Sequence, residues 1–154
     1  MIELICYDCG KFNKRRMRPV VNSPEWCKPK GGLWTSPVGC EESWAAWCES
    51  EAFRKLETSF YLLYGGRTLV IDSQEDLIPH AVIESSYGRK MFMDYEALSK
   101  EFDAIHLTAA GQWSTRLPDH GPDLYGWDVE TVFVMNPDSV SECQDVGALL
   151  EDKP

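Results

Sequence analysis

A chain of 154 residues, 44% of them hydrophobic, has enough apolar material for one domain with a buried core and too much for a disordered segment. Its formal net charge of −10 repels phosphate, which argues against general nucleic-acid binding. No apolar run approaches the roughly 20 residues that cross a bilayer, so no membrane role is expected.

Residues 2–7 alternate weakly and read as a first strand. Residues 11–30 are polar, basic and interrupted by proline, and read as a loop. Its basic run KFNKRRMR, residues 11–18, is suited to an anion such as a pyrophosphate or to plain solvation. Residues 31–36, GGLWTS, form a short strand entered through two glycines and ended by Pro37 and Gly39. From Glu41 the period becomes helical: Trp44, Cys48, Ala52 and Leu56 make one i, i+4 row with Trp47 beside it. Glu41 and Glu42 are expected in the first turn, at the positive end of the helix dipole.

Residues 60–64 (FYLLY) and 68–72 (TLVID) flank GGR and predict two strands joined as a hairpin. Residues 74–82 hold at most one helical turn before Pro79. Residues 93–102 predict a short helix and 103–108 a buried strand. A long polar loop follows, residues 109–126. Residues 127–136 (WDVETVFVMN) are the clearest strand, with Val129, Thr131, Phe133 and Met135 on one face. Many short strands with a few helices between them give an α+β domain over residues 1–140, with an acidic tail over 141–154.

Six cysteines are present: Cys6, Cys9, Cys27, Cys40, Cys48 and Cys143. Cys6-x-x-Cys9 has the spacing of half a zinc site, but no second Cys-x-x-Cys or His pair completes it, so no metal is expected. Residues 1–10 lack the basic start and apolar centre of a secretory signal. A cytoplasmic chain with reduced thiols is therefore expected.

Three segments carry chemistry in order. They are the first strand ICYDC, the glycine-led strand KGGLWTS followed by a helix beginning Ser-Trp, and a late strand with a glutamate near its start, DVETVFV. This order resembles the ADP-ribosyltransferase superfamily, in the branch that includes diphtheria toxin and the poly(ADP-ribose) polymerases. The frame GLW…WxxWC…YGWD is also similar to that of uncharacterised bacterial and phage proteins. The resemblance implies a split, mixed β-sheet with a few short helices and NAD held as substrate in a cleft between the halves. It places Trp34 on the motif tyrosine, after Gly32 and Leu33, and Glu130 on the catalytic glutamate. Tyr7, Asp8, Ser36 and Trp44 join Gly32 and Trp34 as expected NAD contacts. Two features depart from the pattern: the first strand has no histidine, and tryptophan donates a hydrogen bond but does not accept one.

These residue types suit the chemistry. The nicotinamide ring of NAD is flat and cationic, so an aromatic face such as Trp34 holds it. Cleaving its glycosidic bond passes through an oxocarbenium-like state that a carboxylate stabilises, and Glu130 is the candidate. Asp128 lies two residues earlier, on the same expected strand face, and with Trp113 and Arg116 it is expected to meet the macromolecular acceptor, a protein. His120 and Tyr125 share the same long loop, whose length suggests function. The competing expectation is a non-catalytic acidic binding protein on the same fold, such as a phage inhibitor.

Overall fold

The computed structural model describes residues 1–7, 11–56 and 58–142. Among these, three α-helices and nine strands form a mixed α+β domain with a mostly antiparallel sheet. Seven strands make that sheet, in the order β4-β7-β8-β2-β1-β3-β9. They are β1 (Ile2–Tyr7), β2 (Leu33–Pro37), β3 (Ser59–Tyr64), β4 (Thr68–Ile71), β7 (Ala104–Leu107), β8 (Thr131–Val134) and β9 (Val140–Glu142). A separate hairpin joins β5 (Val82–Ser85) and β6 (Gly88–Met93). Among the described residues, only the β4–β7 pair is parallel in the large sheet.

The sheet divides at β2. Residues 33–35 of β2 pair with β8, while Ser36 and Pro37 pair with Ile5 and Leu4 of β1. Beyond Ile5 and Ser36 the two strands part, and a wedge opens between Tyr7 and Trp34. Strand alternation then sorts the side chains. One face carries Trp34, Phe133, Ile105 and Leu107 into a core with Trp127, Tyr95 and Leu124. The other carries Leu4, Leu62, Tyr64, Val132 and Val134 into a second core.

β3 and β4 are not a hairpin. β3 pairs with β1 and β9, whereas β4 pairs with β7 near the opposite end of the strand order. Three residues connect them, and a chain that short spans at most roughly 15 Å. The sheet therefore curls until its ends meet. Gly65 N–H donates to Ser139 O at 2.9 Å, and the Tyr64 and Thr68 hydroxyls lie 2.9 Å apart.

The helices are short and capped by side chains. Ser43 caps α1 (Trp44–Ser50) by accepting from the Ala46 N–H, and Asp94 caps α2 (Tyr95–Glu101). The hydroxyl cap puts Glu41 and Glu42 before the helix, not in its first turn. The helix stops near Ala52, whose φ of 48° is left-handed, so the expected row does not extend to Leu56. A third helix, α3 (Ala109–Thr115), occupies the start of the expected polar loop, capped by Thr108. Its buried residues are Gly111, Gln112 and Thr115. Gly111 is required there, because a Cβ would run into the Ile71 carbonyl. No described helix is long and apolar enough to cross a membrane.

The cysteines divide. Cys27, Cys40 and Cys48 are free thiols, but Cys6 is disulfide-bonded, contrary to the expectation of reduced thiols throughout. Cys9 and Cys143 lie outside the described residues, as does most of the acidic tail.

Candidate functional site

The wedge between β1 and β2 is the mouth of a cleft of about 380 Å³. Tyr7, Gly32, Trp34, Ser36 and Trp44 all line it. Asp8, the remaining expected NAD contact, lies outside the described residues. Each lining residue has a local cause. Trp34 is set by its register opposite Phe133, and its ring packs on Phe133 at 4.5 Å and Trp127 at 4.6 Å between centroids. Trp44 is brought in by the helix start, where its N–H donates to Ser36 Oγ at 3.3 Å. Burial pushes the Tyr7 hydroxyl above its ordinary range, against a hydrogen bond with Ser43. So β1, β2 and the first turn of α1 are tied together at one point.

The glycines serve packing as well as the cleft. Gly32 has a φ of 62°, and a Cβ there would run into the Phe133 ring. Gly31, with a φ of 77°, lies against the Pro19 carbonyl. Gly32 lines the cleft and Gly31 does not.

Two cations complete the cleft that the motif did not announce. Lys28 Nζ stands 5.4 Å from the Trp34 ring centroid, and the Arg54 guanidinium carbon 6.0 Å from that of Trp44. Trp127 forms part of the lining from the loop before β8. The basic run takes a different place. Lys11 and Arg16 line a smaller groove of about 190 Å³ that adjoins the cleft through Gly32 and Leu33.

A second groove, about 540 Å³, lies on the other side of α1. Asp128, Trp113 and Arg116, the three expected acceptor contacts, all line it. Glu41, Glu42, Glu51 and Trp47 line it too. Trp47 stacks on Trp44 at 4.9 Å and 11°, so one ring faces each recess and the pair forms the partition. Asp128 and Val129 line both recesses. The Asp128 carboxylate stands 3.6 Å from the Arg116 guanidinium. Tyr125 lines neither recess and carries Arg116 5.4 Å above its ring. His120 lies near Gln74, whose amide donates to its carbonyl.

Glu130 is placed elsewhere. Thr131 lines the cleft and Phe133 packs on Trp34, so alternation sends Val132 and Val134 to the opposite face. Glu130 lies just before the strand, and its side-chain contact, not alternation, locates it. Its Oε1 is 2.9 Å from His106 Nε2, and His106 pairs in register with Val132. Asp128 and Glu130 do not share a strand face, because β8 begins only at Thr131. The nearby Cys40 thiol is pushed up to about 11 by burial and then by the Glu130 charge, which keeps it protonated at neutral pH.

No protein-family model matches the chain, and no curated protein or solved structure matches it.

Proposed function

We propose that the chain transfers ADP-ribose from NAD to a macromolecular acceptor, with NAD in the cleft and the acceptor in the adjoining groove. The observation that carries this reading is the meeting of two recesses at one carboxylate. Among the described residues, the donor contacts that the resemblance implies line one recess, the acceptor contacts line the other, and Asp128 belongs to both. The neighbouring strands β8, β2 and β1 also carry the three recognised motifs side by side.

In this reading the nicotinamide ring lies against Trp34 or Trp44, and Lys28 and Arg54 meet the phosphates. The bond between ribose C1′ and the pyridinium nitrogen breaks, and its electron pair leaves with neutral nicotinamide. The ribosyl group becomes oxocarbenium-like. Asp128 supplies the negative charge that stabilises it, since Glu130 is turned toward His106. An acceptor nucleophile then bonds to C1′ and loses a proton.

Nicotinamide release from NAD, with a protein lysate as acceptor source, tests this. Asp128→Asn is expected to lower release by roughly 10²-fold or more. Glu130→Gln is expected to keep most of it. A larger loss in Glu130→Gln would return the catalytic role to Glu130. NAD binding without any release would favour the second reading, a non-catalytic nucleotide-binding protein on this fold. That reading draws on the glutamate facing away from the cleft. No binding and no release would end both.

A further inference from the structure

The groove between α1 and α3 has aromatic walls and an uncompensated negative rim. Trp113 is 68% exposed, and Trp47 is half-buried beside it. Glu41, Glu42, Glu51 and Asp128 carry the carboxylates, against the single guanidinium of Arg116. Arg116 is committed to Asp128 at 3.6 Å. Among the described residues, no cation pairs with Glu41, Glu42 or Glu51. An exposed tryptophan beside unpaired carboxylates matches one chemistry: a cation on an apolar stem. Ring faces attract cations, and a long aliphatic chain covers apolar surface while its charged head meets carboxylates.

We infer that this groove binds a lysine- or arginine-bearing segment of a protein, which names the acceptor class if the transferase reading holds. The charges argue for a cationic partner and against nucleic acid, whose phosphates the rim repels. Gln112 and Val129, both buried, complete the lining.

The inference rests on the proposed function only for the word acceptor, and binding can be read without NAD. The probe is a fluorescein-labelled, acetylated tetra-arginine amide, titrated by anisotropy at about 0.1 M salt. Tetra-glutamate serves as the control peptide. Trp113→Ala and the double variant Glu41→Gln, Glu42→Gln are each expected to weaken binding by roughly tenfold. Both glutamates are exposed and precede the α1 cap, so the double variant leaves the helix intact, and a thermal melt checks this. A charge-matched double variant, Glu84→Gln with Glu101→Gln, alters β5 and α2, whose side chains line neither recess. It is expected to change affinity less than about twofold.

Equal weakening by the remote pair would show that net charge alone attracts the peptide, and would overturn the inference. So would tetra-glutamate binding as well as tetra-arginine, or no tetra-arginine binding at all. Specific peptide binding without nicotinamide release would leave the docking site standing and remove the transferase reading.

Discussion

The two recesses on either side of α1 are alike in build and opposite in charge. Each has a tryptophan from the same helix as its wall, Trp44 for the cleft and Trp47 for the groove, and both share Asp128 and Val129. The cleft adds Lys28 and Arg54, while the groove adds Glu41, Glu42 and Glu51. The aromatic partition therefore does not choose between ligands. On the proposed reading both sides accept something flat or apolar, and the charges decide which side receives an anion and which a cation.

The hardest way to break this comparison is to remove the floor of one side. Trp127 is 1% exposed and packs against Trp34, Phe133 and Tyr95, and its indole N–H donates to the Cys27 carbonyl at 3.4 Å. Trp127→Ala should destabilise the domain by about 3–5 kcal/mol, read by urea unfolding. The cleft should fail with it, since Trp127 lines it and Trp34 loses one of the two rings it packs on. Retained stability would mean the cleft floor can collapse without cost.

A finer cut divides the partition itself. Trp44→Ala should weaken NAD binding by about 1–3 kcal/mol, by analogy with base stacking on aromatics, and leave tetra-arginine binding close to wild type. Trp47→Ala should do the reverse. If each variant harms both ligands equally, the stacked pair acts as one wall, and the two recesses are not independent. A smaller effect tests charge alone. Lys28→Gln should cost NAD roughly tenfold in affinity at low salt, with a shallower salt dependence than wild type, and should not touch peptide binding.

What the sequence made legible, and what it hid, follows from how local each signal was. The glycine-led GGLWTS stretch announced a strand from its local pattern, whereas the cleft was expected only from the family resemblance. Strand β1 was legible for the same reason. The GGR turn suggested a hairpin, yet the partner of β3 is β1, and nothing local names a partner more than fifty residues away. Helix α3 was invisible because its buried face is Gly111, Gln112 and Thr115, which carry no apolar period. Lys28 and Arg54 reach the cleft from a loop and from just beyond a helix, so no motif holds them. Glu130 was singled out as a residue, but its bond to His106 was not legible, since that partner lies 24 residues earlier on another strand.

The last test asks whether fold and charge can be separated. Asp103 lies at the opposite end of β7 from His106 and lines neither recess. Its carboxylate accepts from Asn136 Nδ2 at 2.7 Å and from the Arg67 N–H at 2.8 Å, and so ties the start of β4 to the end of β8. These bonds, the Asn136 one foremost, hold its carboxyl down to about 2, below its ordinary value of 3.8. A depressed folded value means the unfolded chain binds the proton more readily. The contribution is therefore complete above the ordinary value and is lost as pH falls through about 2. Asp103→Asn should cost roughly 1–2 kcal/mol at pH 7, with the gap from wild type closing on acidification. Affinities for NAD and for tetra-arginine at pH 7 should not move. A gap that stays constant with pH would mean that Asp103 works as a neutral hydrogen-bonding group, not as an anion. A change in either affinity would mean that the curl of the sheet, and not only the charges around α1, sets the two recesses.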